Sequence, residues 1–360
     1  MYYRLTDLTN KTATELAQAF AAIPANVTSL NLSANGLDNK TGVELAQIFA
    51  AISRGVSTLN LSWNFLDNKT AVELAQALAR IPVGVTALDL SWNIPGSKTG
   101  AELAQIFAAI PASVTSLNLS GNFLSKRTAT ALAQAVAAIP ARVTTLDLSL
   151  NALGGKTGAE LAQILAAIPA SVTSLSLIGN YLGNKTAAEL AQAFAAIPAG
   201  VTALNLSGNG LSSKTAAELT QAVAAIPATV TTITLSEEDI VNRPTKELID
   251  LGKALPHALI KIVDANNQPS THAKAQELQK HIGAWINEAH IQLKDIPLPE
   301  DLVSLILEKE TGVNAVEISS FAKSNTHVER NKKVFFTPTT HVAKKHKHEE
   351  EEKNVMLFIV

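Results

Sequence analysis

Two tryptophans, Trp63 and Trp92, lie 29 residues apart, and they are the side chains of this chain best suited to gripping another molecule. If that spacing is one structural repeat, the indoles stand on neighbouring strands about 5 Å apart, side by side. Exposed Trp is costly to keep and is enriched at binding hot spots. Asn60 and Asp89 precede the two indoles by three residues, and Asn118 and Asp147 continue that column, so a polar frame runs beside the rings. Leu150 continues the Trp column. The chemistry these residues offer is recognition. No G-x-x-x-x-G-K-S/T, H-E-x-x-H or G-x-S-x-G motif is present. With no cysteine there is no disulfide, thiolate metal site or cysteine nucleophile. We therefore assign no catalytic residue, cofactor or metal ligand and expect no enzyme, although a Ser or carboxylate site assembled from residues 240–310 stays open. A net charge of −2 gives no bulk attraction to nucleic acid or an anionic membrane.

The spacing is indeed a repeat. Val27, Val56, Val85, Val114, Val143, Val172, Val201 and Val230 each open a phrase of the type VTSLNLSANGL, and all but the last lead into KTxxELAQxxAAIP. A fixed period of this size predicts one supersecondary unit stacked many times, which presents surfaces rather than pockets. Leu30 and Leu32 alternate with Asn31 and Ser33, which predicts a short strand with the leucines inward. Asn35 and its equivalents Asn64, Asn93, Asn122, Asn151, Asn180 and Asn209 break the alternation. They are expected to form a buried amide stack that bonds the turn backbone of their own and the neighbouring repeat. Thr41 and Glu44 form a capping box that recurs at Thr70/Glu73, Thr99/Glu102, Thr157/Glu160, Thr186/Glu189 and Thr215/Glu218. Thr128 faces Ala131 instead, so that cap is incomplete. Leu45, Ile48, Phe49 and Ile52 then follow at helical spacing, and a proline such as Pro82 stops most of the helices.

A strand carrying Leu-x-Leu-x-x-Asn-x-Leu, joined to a helix in each 29-residue unit, resembles the leucine-rich-repeat family, in its ribonuclease-inhibitor-like subclass. The resemblance covers residues 1–236. It implies an α/β solenoid, a curved horseshoe with parallel strands on the concave face and helices on the convex face, that binds another macromolecule on the concave side. On that expectation the partner-binding residues are Trp63, Trp92, Asn60, Asp89, Asn118, Asp147 and Leu150, and the chain works as a monomer. One residue past each ladder Asn stand Phe65, Phe123 and Tyr181; the two phenylalanines are expected to pack under the turn. The basic column Lys11, Lys40, Lys69, Lys98, Arg127, Lys156, Lys185 and Lys214 could bind a polyanion. The expectation is instead a solvated position balanced by the capping Glu four residues on.

After residue 236 the pattern changes, and all eight histidines fall between His257 and His348. Residues 237–310 are read as a degenerate repeat, with a helix over 243–255 and a strand over 259–263, followed by a helical cap. A helix over 271–293 presents Leu278, Ile282 and Trp285 on one face. Residues 296–310, IPLPEDLVSLILEKE, make an amphipathic helix similar to the short boxes that dock ubiquitin-ligase adaptors; the bland alternative is a packing helix. Residues 311–360 form a polar tail whose His341, His346 and His348 are not taken as metal ligands. Glu349 to Glu352 before an apolar terminus resemble the export signal of type IV secreted effectors of Legionella, and the Ala-rich KTxxELAQ unit resembles leucine-rich-repeat effectors of that group. The resemblance implies delivery into a host cell's cytoplasm, where a host protein is the partner. There is no secretory h-region at the start and no apolar run long enough to span a membrane.

Overall fold

The computed structural model describes residues 1–94, 96, 98–244, 247, 251–252, 254–255, 258–266 and 268–272. The helices expected over 271–293 and 296–310 and the tail over 311–360 lie outside these residues, apart from the first two positions.

The described residues form one open parallel sheet of ten strands in sequence order, alternating with helices. The strands are β1 Tyr2–Arg4, β2 Ser29–Asn31, β3 Thr58–Asn60, β4 Ala87–Asp89, β5 Ser116–Asn118, β6 Thr145–Asp147, β7 Ser174–Ser176, β8 Ala203–Asn205, β9 Thr232–Ser236 and β10 Leu259–Val263. The helices between them are α1 Ala13–Ala21, α2 Gly42–Ala50, α3 Ala71–Leu78, α4 Gly100–Ala108, α5 Ala129–Ala137, α6 Gly158–Ala166, α7 Ala187–Phe194 and α8 Ala216–Val223. The register repeats the sequence period: Leu30 lies beside Leu59, Leu59 beside Leu88 and Leu88 beside Leu117. The sheet does not stop at residue 236, because β10 pairs with β9 along its whole length. The two leucines of each strand and the apolar helix residues merge into one continuous core from Leu8 to Ile262. The strands line the concave face and the helices the convex one.

Three ladders tie unit to unit. The first is the amide stack. The backbone N–H of Asn64 donates to Asn93 Oδ1 (3.1 Å), that of Asn93 to Asn122 (2.8 Å) and that of Asn122 to Asn151 (3.0 Å), while each Nδ2 donates to a leucine carbonyl of the preceding repeat and to a carbonyl of its own, Leu61 for Asn64, Ser91 for Asn93 and Leu119 for Asn122. These amides are fully buried, so their bonds satisfy turn groups that no sheet partner reaches. The second is the row of capping boxes, present as read and also at Thr12/Glu15; Thr128 keeps only its own half.

The third ladder corrects an expectation. Most of the basic column is not a solvated row. Lys40, Lys98 and Arg127 are buried. Lys40 Nζ donates to the carbonyl of Lys11 (2.7 Å), Lys69 to Asp38 (2.6 Å), Lys98 to Asp67 (2.5 Å) and Lys156 to Arg127 (2.5 Å). Arg127 Nε does the same to Lys98 (2.9 Å). Arg243, one period beyond Lys214, donates to the Lys214 carbonyl (2.9 Å), so the column extends into the last repeat. The head of each of these six cations reaches a carbonyl about one unit back, over an apolar stem that is at least partly covered; Lys185 instead pairs with the capping Glu189 four residues on (3.5 Å), as expected.

On the convex side the helices alternate. Gly42, Gly100 and Gly158 open α2, α4 and α6, each with an isoleucine six residues on (Ile48, Ile106, Ile164). Ala71, Ala129 and Ala187 open α3, α5 and α7, with Ala77, Ala135 and Ala193 at the same offset. A Cβ on Gly42 would lie 2.5 Å from Glu73 Cγ, one on Gly100 2.4 Å from Ala131 Cβ, and one on Gly158 2.6 Å from Glu189 Cα. Each glycine thus gives the next helix a close seat, α3 on α2, α5 on α4 and α7 on α6.

Candidate interaction surface

After most of the strands β2 to β8 the turn has two left-handed residues flanking the ladder asparagine; after β4 only Trp92 is left-handed, and Ile94 turns into the core. Ala34 and Gly36 flank Asn35 (φ 53° and 58°), and Trp63 and Phe65 flank Asn64 (φ 59° and 51°). Two short columns of side chains are thereby thrown outward along the rim at the C-terminal ends of the strands. Glycine fills many of these places, as at Gly121, Gly179, Gly208 and Gly210. Trp63, Phe65, Trp92 and Phe123 fill others, although a left-handed backbone costs an L-residue with a side chain about 1–2 kcal/mol.

The rings form a connected strip. Trp63 and Trp92 lie face to face, with centroids 4.4 Å apart and planes 12° apart. Equivalent side chains on in-register parallel strands are one strand spacing apart, which suits stacking. Phe65 meets Trp63 edge-on at 6.1 Å, and Phe123 meets Trp92 edge-on at 5.8 Å. Lys126 Nζ stands 5.2 Å from the centre of the Phe123 ring. Trp92 is half-buried because its indole lies flat over Gly121, where a Cβ would come within 2.3 Å of the ring. Trp63 remains 44% exposed, Phe65 50% and Phe123 37%, so the strip faces solvent across three repeats.

Phe65 and Phe123 therefore do not pack under the turn; positive φ directs them away from it. Tyr181 shares their column and is 61% exposed. The signal was in the sequence: Gly36 and Gly210 occupy the same column, and glycine there marks a position that needs positive φ.

The other residues of the expected surface separate into two groups. Asn60, Asp89, Asn118 and Asp147 are half-buried, and each uses Oδ1 to accept the backbone N–H two residues on, from Ser62 (2.8 Å), Ser91 (2.9 Å), Ser120 (2.9 Å) and Ser149 (2.8 Å). They hold the exit from the strand in shape as well as lining the concave face. Leu150 is 46% exposed but leans over Gly179, beyond the Gly121 gap, so it stands apart from the aromatic strip. The indoles themselves sit past the strand ends, on the rim of the concave face rather than at its centre.

No protein-family model matches the chain, and no curated protein does. Among solved structures it is similar to the leucine-rich repeat-containing protein LegL7 from Legionella pneumophila. The identity is 37% and the TM-score 0.67, over 79% of this chain and 98% of that one. With that likeness added to the in-register strands, the helices and the buried asparagine ladder, the chain belongs to the leucine-rich-repeat family.

Proposed function

We propose that this chain is a non-enzymatic recognition module, a bacterial effector delivered into a host cell, that binds a host protein through the aromatic rim formed by Trp63, Phe65, Trp92 and Phe123. One observation carries the reading. Four aromatic side chains in mutual contact, three of them exposed and Trp92 half-buried, occupy left-handed backbone positions that most other repeats fill with glycine or alanine, Leu150 and Tyr181 being the exceptions. Strain at a position where a cheaper residue serves the fold points to function. The rigid sheet beneath loses little entropy on docking, so a few prepositioned rings can supply most of the affinity. The effector reading draws support from the likeness to a Legionella protein of the same family and from the glutamate block near the C-terminus.

The test compares the full chain with Trp63→Ala/Trp92→Ala in capture from host-cell lysate and in thermal melting. The expected result is loss of the captured protein, by at least tenfold in affinity, with a melting temperature within a few degrees of the parent. Unchanged capture, or a collapse of the fold, refutes the rim as the binding site. A translocation reporter fused to the chain with and without residues 341–360 tests delivery, which is expected to fail without them.

A further inference from the structure

We infer that the partner docks with a basic segment, placing two cationic side chains against Asp89 and Asp147 and an apolar residue against the Trp63–Trp92 pair. This rests on the rim reading and adds the chemistry of the occupant. Asp89 and Asp147 are the charged residues of β2 to β9; every other position on those strands is neutral. Among the described residues neither takes part in an ion pair. Each spends Oδ1 on its own turn, at Ser91 and Ser149, and Oδ2 has no such bond. The cations of the same column stand only at the ends, Arg4 opposite Asn31 on β1 and Lys261 opposite Thr234 on β10. The middle of the concave face is thus acidic with no base beside it.

Geometry sets the spacing of the occupant. β4 and β6 are two strand spacings apart, which puts the carboxylates about 9.6 Å from each other. An extended polyproline-type segment advances about 9.3 Å in three residues. Its residues i and i+3 therefore meet the two carboxylates while it crosses β4, β5 and β6. Trp92 lies three residues beyond Asp89 on the same turn, so the apolar contact falls next to the first cation. Lys126 stands beyond Phe123 at the far end of the ring strip. It keeps the cationic part of the partner on the strand side and the apolar part on the rings.

The test uses the full chain and two labelled synthetic peptides, one containing Leu-Arg-Pro-Pro-Arg and one with both Arg replaced by Glu. Asp89→Asn and Asp147→Asn are suited to it, because Asn60 and Asn118 hold the same positions on β3 and β5 and make the same turn bond. The Arg peptide is expected to bind, the Glu peptide to bind at least tenfold more weakly, and the double Asn variant to lose about tenfold for the Arg peptide together with most of its salt dependence. Absence of binding by the Arg peptide, a preference for the Glu peptide, or indifference to the double Asn change overturns the inference. Tighter Glu binding would identify Lys126 as the anchor of an acidic partner instead. Lysate capture that depends on Trp63 and Trp92 but not on Asp89 and Asp147 leaves the rim reading standing and overturns this one. Capture that survives loss of both tryptophans removes the rim reading itself.

Discussion

The rim after β3 to β5 and the rim after β7 and β8 share the asparagine ladder and, Ile94 apart, the left-handed turn backbone, but they differ in surface. In the first, Trp63, Phe65, Trp92 and Phe123 occupy left-handed positions together with Gly121; in the second, Gly179, Gly208 and Gly210 do, with φ between 63° and 67°, and the one ring there is Tyr181 (φ 61°). The ladder asparagines beneath are buried alike in both. The turn thus requires a dihedral angle, not a side chain, and glycine supplies it without strain. What differs is chiefly what an approaching molecule meets, a connected strip of rings or a lone Tyr181 among bare backbone.

The largest effect should be blind to that difference. Asn122 accepts from the N–H groups of Asn93 and Ile94 and donates to the carbonyls of Leu90 and Leu119. Asn122→Ala leaves several buried groups unpaired and is expected to cost about 3–4 kcal/mol in urea unfolding. Asn180→Ala, under the glycine part, should cost about the same. Unequal losses would mean that the rings help to hold the ladder, and the contrast between fold and surface would break.

A somewhat smaller effect sits at the far end of the glycine part, where the ladder gives way to Asp239. Burial pushes this carboxyl up to about 6, opposed by a hydrogen bond from the Ser236 N–H. The folded state then holds a proton that the unfolded chain, with an ordinary carboxyl near 3.8, releases earlier. Stability from this group is therefore complete below the unfolded value and falls as pH rises toward 6. The capping glutamates act in the opposite sense. Hydrogen bonds from their Thr partners lower Glu44, Glu102 and Glu218, so their contribution is lost only as pH falls through the acid range. Asp239→Asn should flatten the stability profile between pH 4 and 6 and add up to about 3 kcal/mol at pH 7, with no gain below pH 4. Melting curves across that range decide it; an unchanged slope would place the proton elsewhere.

The smallest effect bears most directly on the two rims. Phe65→Gly and Phe123→Gly relieve left-handed strain and should each stabilise the array by roughly 0.5–1 kcal/mol while weakening partner binding. The reverse exchange, Gly210→Phe, meets no neighbouring atom and should cost about 1 kcal/mol through the backbone alone. If removing the phenylalanines lowers stability instead, their exposure is incidental and the rings belong to the scaffold.

The scaffold was largely legible in the sequence because its rules are local or strictly periodic. The alternation of Leu30 and Leu32, the Thr41/Glu44 box and the recurrence of Asn35 each point to one geometry. The cation ladder was not legible, because Lys98 stands four residues before Glu102 but spends its ammonium on a carbonyl of the preceding repeat. Local neighbours suggested a solvated pair. The better clue was that Lys or Arg fills the column without exception from Lys11 to Lys214, as invariantly as the capping Thr after it, while the position before it varies. Phe65 and Phe123 were misjudged for a related reason: hydrophobicity suggested burial, whereas the backbone hand decides where the ring goes. The Trp pair was readable because spacing alone sets it side by side; its seat over Gly121 needed coordinates.

The alternation of convex helices has a consequence for how such a spring can change length. Removing one unit from the middle would bring two glycine-led or two alanine-led helices together, and the close seat that each glycine makes for its follower would be lost or duplicated. Removing two leaves every seam as it was. Deletions and grafts of 58 residues should therefore cost less stability than cuts of half that size, and α7 and α8, two alanine-led helices that already adjoin, mark the seam where a single-unit change should cost least.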